Sequence, residues 1–283
     1  MNDTSQSNDR LTWVVGDIHG CLQELHALEH LIERASLTHG RPWRLVSVGD
    51  LIDRGPHSKE VVQHFLDGTS SGTHSAVLGN HEMLMLDTIL KRRPDLFHEQ
   101  QIDPPYWLDT IEDTLGLRPG FKRLGSEDEW ITYHLLNWSS QGGGETLESY
   151  GCDPARPDDW RIPGDHLDYL SSLPLYWKDA DCIVTHALAH SQDLYALESG
   201  LQLAKDGIYR TVWNRELPGH RPDRHRIHAS GHTPMSRVRR ERSRGIIRLD
   251  LGAYAGGRLA AWCPQLDQCV SVASKTVWYR GQA

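Results

Sequence analysis

Residues Val48–Gly55 read Val-Gly-Asp-Leu-Ile-Asp-Arg-Gly. The apolar run Leu45–Val48 suits a buried strand, and it stops at a glycine followed at once by a carboxylate, Asp50. Asp53 and Arg54 come three residues later, ahead of a Gly-Pro break. Two carboxylates, one cation and two glycines make a poor core and a poor helix. They suit a tight loop that holds charge at the C-terminal end of a strand, where open α/β sheets bind ligands. By itself the stretch fits a solvated strand-to-helix turn equally well, so the flanking chain decides.

Working outward, the same pattern repeats. Leu11–Val15 is a β-type run ending in Gly16-Asp17-Ile18-His19-Gly20. Leu22, Leu25, Leu28 and Ile32 then recur at helical spacing through about Arg34. After the loop at Val48–Gly55, Val61, Val62, Phe65 and Leu66 mark a second helix, and Ser75–Leu78 a third strand. Gly79-Asn80-His81-Glu82 follows, and Met83–Leu90 continues as a helix. This β-α-β-α-β order predicts a parallel sheet with right-handed crossovers, its three polar loops meeting along one edge.

Residues 91–177 differ, being rich in Pro, Trp, Asp and Glu with irregular helical segments, and read as an insertion over the sheet edge. Within it, Gln141-Gly142-Gly143-Gly144 suits either a backbone phosphate cradle or a flexible turn before a helix. Trp107, Trp130 and Trp138 suit either packing or stacking on a base. The sheet pattern then returns. Cys182–Val184 leads to Thr185-His186-Ala187, and Ile227–Ala229 to Ser230-Gly231-His232. Ile246–Leu251, Arg258–Cys263 and Cys269–Ala273 read as antiparallel strands, the first two joined by the glycine-rich turn Gly252–Gly257. Both halves supply candidate ligands, so the expectation is one domain over residues 11–275 behind a disordered tail at 1–10.

The bulk composition bounds the function. At 283 residues the chain can bury a sizeable core, and its net charge of −8 argues against broad nucleic-acid affinity. Six arginines in Arg237–Arg248 suit a solvated hairpin or helix face. Five widely spaced cysteines with no C-x-x-C pair argue against a disulfide framework and fit a reducing compartment. The polar start, Met1–Arg10, lacks an apolar signal core, and no run approaches the ~20 apolar residues that span a bilayer. The expectation is a cytoplasmic protein with no membrane partner.

Five strand ends carry metal-capable side chains: Asp17 and His19, Asp50, Asn80 and His81, His186, and His232. His190, four residues beyond His186, is a competing histidine. Oxygen and imidazole donors without thiolate suit Mn, Fe or Zn. So many donors exceed one tetrahedral site and suit two ions roughly 3.5–4 Å apart, the arrangement that drives in-line phosphoryl displacement. A water bridging two such ions loses its proton near neutral pH and is the expected nucleophile.

The blocks Gly16–Gly20, Gly49–Gly55 and Gly79–Glu82 resemble the three signature blocks of the phosphoprotein phosphatase family. This is the branch of the calcineurin-like metallophosphoesterases that holds the Ser/Thr protein phosphatases, the lambda phage phosphatase and the bacterial symmetrical diadenosine tetraphosphatase. Trp213-Asn214-Arg215-Glu216, Gly143–Gly151 and Leu249–Leu259 resemble its bacterial and phage members. The resemblance covers most of Leu11–Ala261 and is weakest over Lys91–Asn137. It implies an α/β fold, a four-layer α-β-β-α sandwich with mixed sheets. It implies that Asp17 and His19 bind one metal, that Asp50 bridges both, and that Asn80, His186 and His232 bind the second. It further implies His81 as general acid oriented by Asp53, and Arg54 and Arg215 as phosphate-binding arginines. The cofactor expected is a pair of divalent ions, Mn²⁺ first, with Fe or Zn as alternatives. The expected activity is phosphomonoester hydrolysis of a phosphorylated protein or peptide, as by a Ser/Thr protein phosphatase. The alternative is a symmetrical bis(5'-nucleosyl)-tetraphosphatase acting on a nucleotide, and a catalytically silent metal-binding protein is the third reading. The sequence leaves the oligomeric state open.

Overall fold

The computed structural model describes residues 9–108 and 126–278. Of the tail expected to be disordered, residues 1–8 lie outside the described residues. The carbonyls of Asp9 and Arg10 accept hydrogen bonds from the Arg41 guanidinium.

The parallel unit forms as its sequence predicts. Strand β1 (Leu11–Val15) pairs in parallel with β2 (Trp43–Ser47), and β2 with β3 (His74–Ala76). Helix α1 (Leu22–Thr38) buries Leu25, Leu28 and Ile32, and α2 (Ser58–Ser70) buries Val61, Val62 and Phe65, each on one face at helical spacing. Helix α3 (Asn80–Arg92) begins earlier than its apolar run, so Asn80 and His81 lie in its first turn. Glu82 permits this by reaching back to accept the Gly79 N–H at 2.9 Å, which satisfies a donor at the helix start.

The insertion adds α4 (Pro94–Gln100), α5 (Glu127–Trp138), a π-helical turn at Ser139–Gly143, α6 (Gly144–Ser149) and α7 (Gly164–Ser172). Strands β4 (Trp177–Lys178), β5 (Cys182–Val184), β6 (Ile227–Ser230), β7 (Arg239–Glu241) and β8 (Ile246–Arg248) form a second sheet in the order β4-β5-β6-β8-β7. Helices α8 (Ser191–Glu198) and α9 (Lys205–Val212) lie between β5 and β6 in the chain. Strands β9 (Arg258–Cys263) and β10 (Gln268–Ala273) return to the first sheet, whose order is β10-β9-β1-β2-β3.

The alternation of strand side chains sets the layers. Val14 and Val46 of the first sheet pack with Val184, Ala229 and Ile247 of the second, so the sheets meet face to face. Trp13, Val15 and Leu45 point the other way, into a core shared with α1, α2 and α3. Ile183, on the far face of the second sheet, packs on Leu194 of α8. Helix, sheet, sheet, helix is the four-layer order expected.

One strand pairing differs from expectation. Ile246–Leu251 is not the hairpin partner of Arg258–Cys263. It supplies β8, parallel to β6 in the second sheet, while β9 pairs antiparallel to β1 and β10 in the first. Residues Gly252–Gly257 therefore cross between sheets, with a lone bridge from Leu251 to Arg258. The arginine-rich stretch is the β7–β8 hairpin. No helix among the described residues is long and apolar enough to cross a membrane.

Candidate metal centre and active site

The loops after β1, β2, β3, β5 and β6 converge. Five of their residues hold left-handed backbone angles: His19 (φ 48°), Asp50 (φ 52°), Asp53 (φ 72°), Arg54 (φ 70°) and His232 (φ 66°). Each such angle in a non-glycine residue costs on the order of 1–3 kcal/mol, so the surroundings must hold it. The His19 N–H donates to the Asp50 carbonyl at 2.8 Å, the Gly55 N–H to the His19 carbonyl at 3.0 Å, and the Arg54 N–H to the Gly142 carbonyl at 3.2 Å. Glu82 accepts from the Asp50 N–H (3.0 Å), Leu51 N–H (2.7 Å) and Gly79 N–H (2.9 Å), clamping the second loop onto the third.

Asp50 stands at the centre. Its Oδ2 lies 3.5 Å from His19 Nε2, 3.8 Å from His81 Nε2 and 3.4 Å from His186 Nε2. His19, Asp50 and His81 form one set of potential metal ligands, and Asp50, His186 and His232 another. Asn80 Oδ1 lies 2.9 Å from His186 Nε2 and 2.8 Å from His232 Nδ1. Asp17 is buried, and both its oxygens accept the His232 N–H, at 3.0 and 3.1 Å, tying the first loop to the last.

The far side of each imidazole fixes its tautomer. His19 Nδ1 donates to the Ile52 carbonyl (2.7 Å), His186 Nδ1 to the Val48 carbonyl (2.8 Å) and His232 Nε2 to the Trp213 carbonyl (3.0 Å). In the neutral ring the remaining nitrogen then carries a lone pair, and that nitrogen faces the centre. His81 differs, because its Nδ1 faces a carboxylate, Asp53 Oδ2, at 2.6 Å.

These residues fit a cation. Lone pairs of His186 Nε2 and His232 Nδ1 face one another 3.2 Å apart with no proton between them. A positive group, the Arg54 guanidinium, already lies against His19 Nε2 (2.7 Å) and His81 Nε2 (2.8 Å). Burial drives every group toward its neutral form. It pushes Asp50 up to about 7 and Asp250 up to about 6. It raises Asp17 well above the usual carboxylate range, with help from Asp250 and Asp50. It holds His186 down to about 4 and lowers His19, His81 and His232. Carboxyls and unprotonated imidazoles packed together and short of positive charge are what a divalent ion resolves.

The centre opens into a cleft of about 940 Å³ that also reaches Gln141, Trp213, Arg215 and Trp278. Arg215 is exposed on the cleft wall, and His190 lies on the cleft as well, while His186 faces Asp50. The Arg54 guanidinium stacks on Tyr254, 4.1 Å from the ring centre, with Trp278 at 5.7 Å.

Two readings left open for the insertion are decided, each for the plainer one: a turn before a helix, and tryptophans that pack. The glycine run is not a phosphate cradle. Gly142 has φ 105°, and a Cβ there would fall 2.4 Å from the Arg54 nitrogen, while one at Gly143 would fall 2.5 Å from the Trp138 ring. The small residues let the turn press Arg54 and Trp138 into place. Trp107 and Trp138 are buried, so neither offers a face to a base, and the Trp130 side chain lies outside the described residues. Trp138 instead donates to Asp53 at 3.0 Å, and Thr146 donates to the same carboxylate at 2.6 Å. Sequence reasoning missed these two, together with Glu82, Asp250, Tyr254 and Trp278. Glu82 closes the third of the family-like blocks, and Thr146, Asp250 and Tyr254 fall within Gly143–Gly151 and Leu249–Leu259, the stretches that resemble bacterial and phage relatives. Trp138 and Trp278 fall in none of these.

The calcineurin-like phosphoesterase model matches residues 11–253. The symmetrical bis(5'-nucleosyl)-tetraphosphatase of Vibrio parahaemolyticus is 31% identical over 178 residues, 60% of this chain and 60% of that protein. Serine/threonine-protein phosphatase 1 of Salmonella typhimurium is 43% identical over 82 residues, 28% of this chain and 33% of that protein. The chain thus spans less than two thirds of the length of these relatives. A crystal structure provisionally described as a diadenosine tetraphosphatase aligns with a TM-score of 0.53 at 21% identity, over 97% of this chain and 96% of that one, a likeness that shows the fold. With the family model spanning β1 to β8 and all five converging loops, the chain belongs to the calcineurin-like phosphoesterases.

Proposed function

We propose that the protein is a two-metal hydrolase of phosphoric monoesters, of the Ser/Thr protein phosphatase kind. The observation that carries this is the convergence of His19, His81 and His186 on one Asp50 oxygen with the Arg54 guanidinium beside it. Asp17, His19 and Asp50 would hold one ion, and Asp50, Asn80, His186 and His232 the other. Mn²⁺ suits this donor set best, with Fe or Zn as alternatives. When bound, the two ions polarise the phosphoryl oxygens and supply the nucleophile.

The chain's own groups do the rest. Arg54 and Arg215, both lining the cleft, grip the phosphate oxygens, a guanidinium being able to take two at once. His81 would give its proton to the leaving oxygen, the negative charge of a bound phosphate opposing the burial and the Arg54 charge that otherwise lower the ring, and Asp53 orients it through Nδ1. An alkoxide is a poor leaving group and needs that proton. A nucleoside diphosphate leaves readily without one, so the carboxylate-backed acid favours a serine or threonine ester. Residues 91–177 act as the insertion of a single domain, shaping the cleft through Trp138 and Thr146. Five free thiols support a reducing compartment, the cytoplasm.

A second reading, a dinucleoside tetraphosphate hydrolase, draws on the Vibrio relative and on the aromatic pair Tyr254 and Trp278 flanking Arg54. Product analysis separates the two. Mn²⁺-loaded protein is offered a phosphothreonine peptide and diadenosine tetraphosphate side by side, with Asp50→Asn as blank. Orthophosphate from the peptide with the dinucleotide intact supports the first reading. Two ADP per dinucleotide with the peptide untouched overturns it.

A further inference from the structure

A second group of metal-capable side chains lies outside the cleft, between α1 and α2. His26 and Glu29 sit one helical turn apart on α1, and His64 faces them from α2. One donor atom from each of the three lies within 4.8 Å of the others. His74, the first residue of β3, adds a third imidazole at the end of the parallel strands opposite the loops of the proposed active site.

The cluster is built rather than incidental. Glu29 Oε1 accepts from His64 Nε2 and from His74 Nε2, both at 2.8 Å. His74 is buried, and its other nitrogen lies 2.9 Å from the Thr73 hydroxyl. Its ring is seated against Gly68, where a Cβ would fall 2.3 Å from it. The rings of His26 and His64 are 5.3 Å apart, and those of His64 and His74 4.9 Å. Burial alone would raise the Glu29 carboxyl, but the bonds from His64 and His74 override it and hold it down to about 2, so it is an anion at any physiological pH.

We propose that His26, Glu29 and His64 form a separate surface site for a divalent transition ion of the zinc class, with His74 orienting Glu29. Two imidazoles and one carboxylate are donors of the kind that bind Zn²⁺, with further positions left to water. A tetrahedral zinc ion sets its ligand atoms roughly 3.3 Å apart. His26 is exposed and turns freely enough to close the remaining gap. His74, whose second nitrogen is anchored by Thr73, does for Glu29 what a carboxylate commonly does for a metal-bound histidine. The ion would join α1, α2 and the start of β3, and it is independent of the catalytic centre.

Zn²⁺ bound per chain, measured by equilibrium dialysis and elemental analysis in mildly alkaline buffer, tests this. Wild type is expected to hold one more ion than His26→Ala or His64→Gln, with hydrolysis rates unchanged in both variants. His74→Gln is expected to keep the site but weaken it about 10–100-fold. His26 is exposed, so its loss leaves the fold intact, which a thermal melt confirms. Equal Zn²⁺ content and affinity in wild type and His26→Ala overturns the proposal and leaves Glu29 as an ion-paired anchor for His64 and His74.

Discussion

Two corners of the same centre are built from the same residue type and backed differently. At the His186–His232 corner each imidazole leans on a main-chain carbonyl, Val48 or Trp213. At the His81 corner the ring leans on Asp53, a carboxylate that also accepts from Trp138 and Thr146. A carbonyl fixes orientation and tautomer while leaving the ring neutral, as a ligand must be. A carboxylate also steadies the charged ring, as an acid needs. Under the proposed function, that difference would separate holding a cation from handing over a proton.

The largest effect should come from removing what both corners share. Asp50→Asn is expected to abolish hydrolysis and to lower metal content, measured by elemental analysis of the purified protein. Full metal content with full activity would remove Asp50 from the bridging position. His81→Asn should spare the metals and slow turnover of an alkyl phosphate about 10²–10⁴-fold. A loss of metal in that variant would move His81 to the other side of the comparison. Asp53→Asn should be milder, about 10–100-fold in kcat, by analogy with the loss of other partners that orient a metal-site histidine. Thr146→Val removes one of several bonds to Asp53 and should cost about 1–3 kcal/mol of stability with a smaller effect on rate, read from denaturant melts and kinetics.

Metal removal sharpens the contrast through pH. Asp50 has a folded value of about 7 against an ordinary 3.8, so it favours the folded state at low pH. That contribution is fully present below about 4 and is lost as pH rises through about 7. Asp50 should therefore cost metal-free protein stability as pH rises over that window, while His186, held down to about 4, works the other way below its ordinary 6.5. Comparing wild type with Asp50→Asn isolates the carboxyl's share, which added Mn²⁺ should offset most at the upper end. A difference in melting temperature between the two that is independent of both pH and metal would mean that the carboxyls are not competing for one charge-poor space.

The sequence exposed the two corners unequally. Asp17, His19, Asp50, Asn80 and His81 lie in short blocks whose glycines and strand runs mark their own fold. His186 and His232 are single letters, legible because each follows a β-type run at the same topological place. The bonds of Trp138 and Thr146 to Asp53 left no local trace, since they cross 85 and 93 residues of chain. Such contacts depend on how the insertion lies over the sheet, which no periodicity records. The glycine run left two readings open for a related reason. Gly142 and Gly143 are small because side chains press on them, a pattern that in sequence looks like a loop built for phosphate. Likewise β8 and β9 look like one hairpin, because their connecting turn carries no mark that the chain is changing sheets.

The most direct test is how the rates of wild type and His81→Asn depend on the leaving group, measured with Mn²⁺-loaded protein on aryl and alkyl phosphates of graded leaving-group pKa. The carboxylate-backed acid predicts a variant nearly unimpaired on the best leaving group and increasingly impaired as the leaving group worsens, with metal content unchanged. An equal loss on every ester, or a loss of metal, would contradict the division of labour between the two corners.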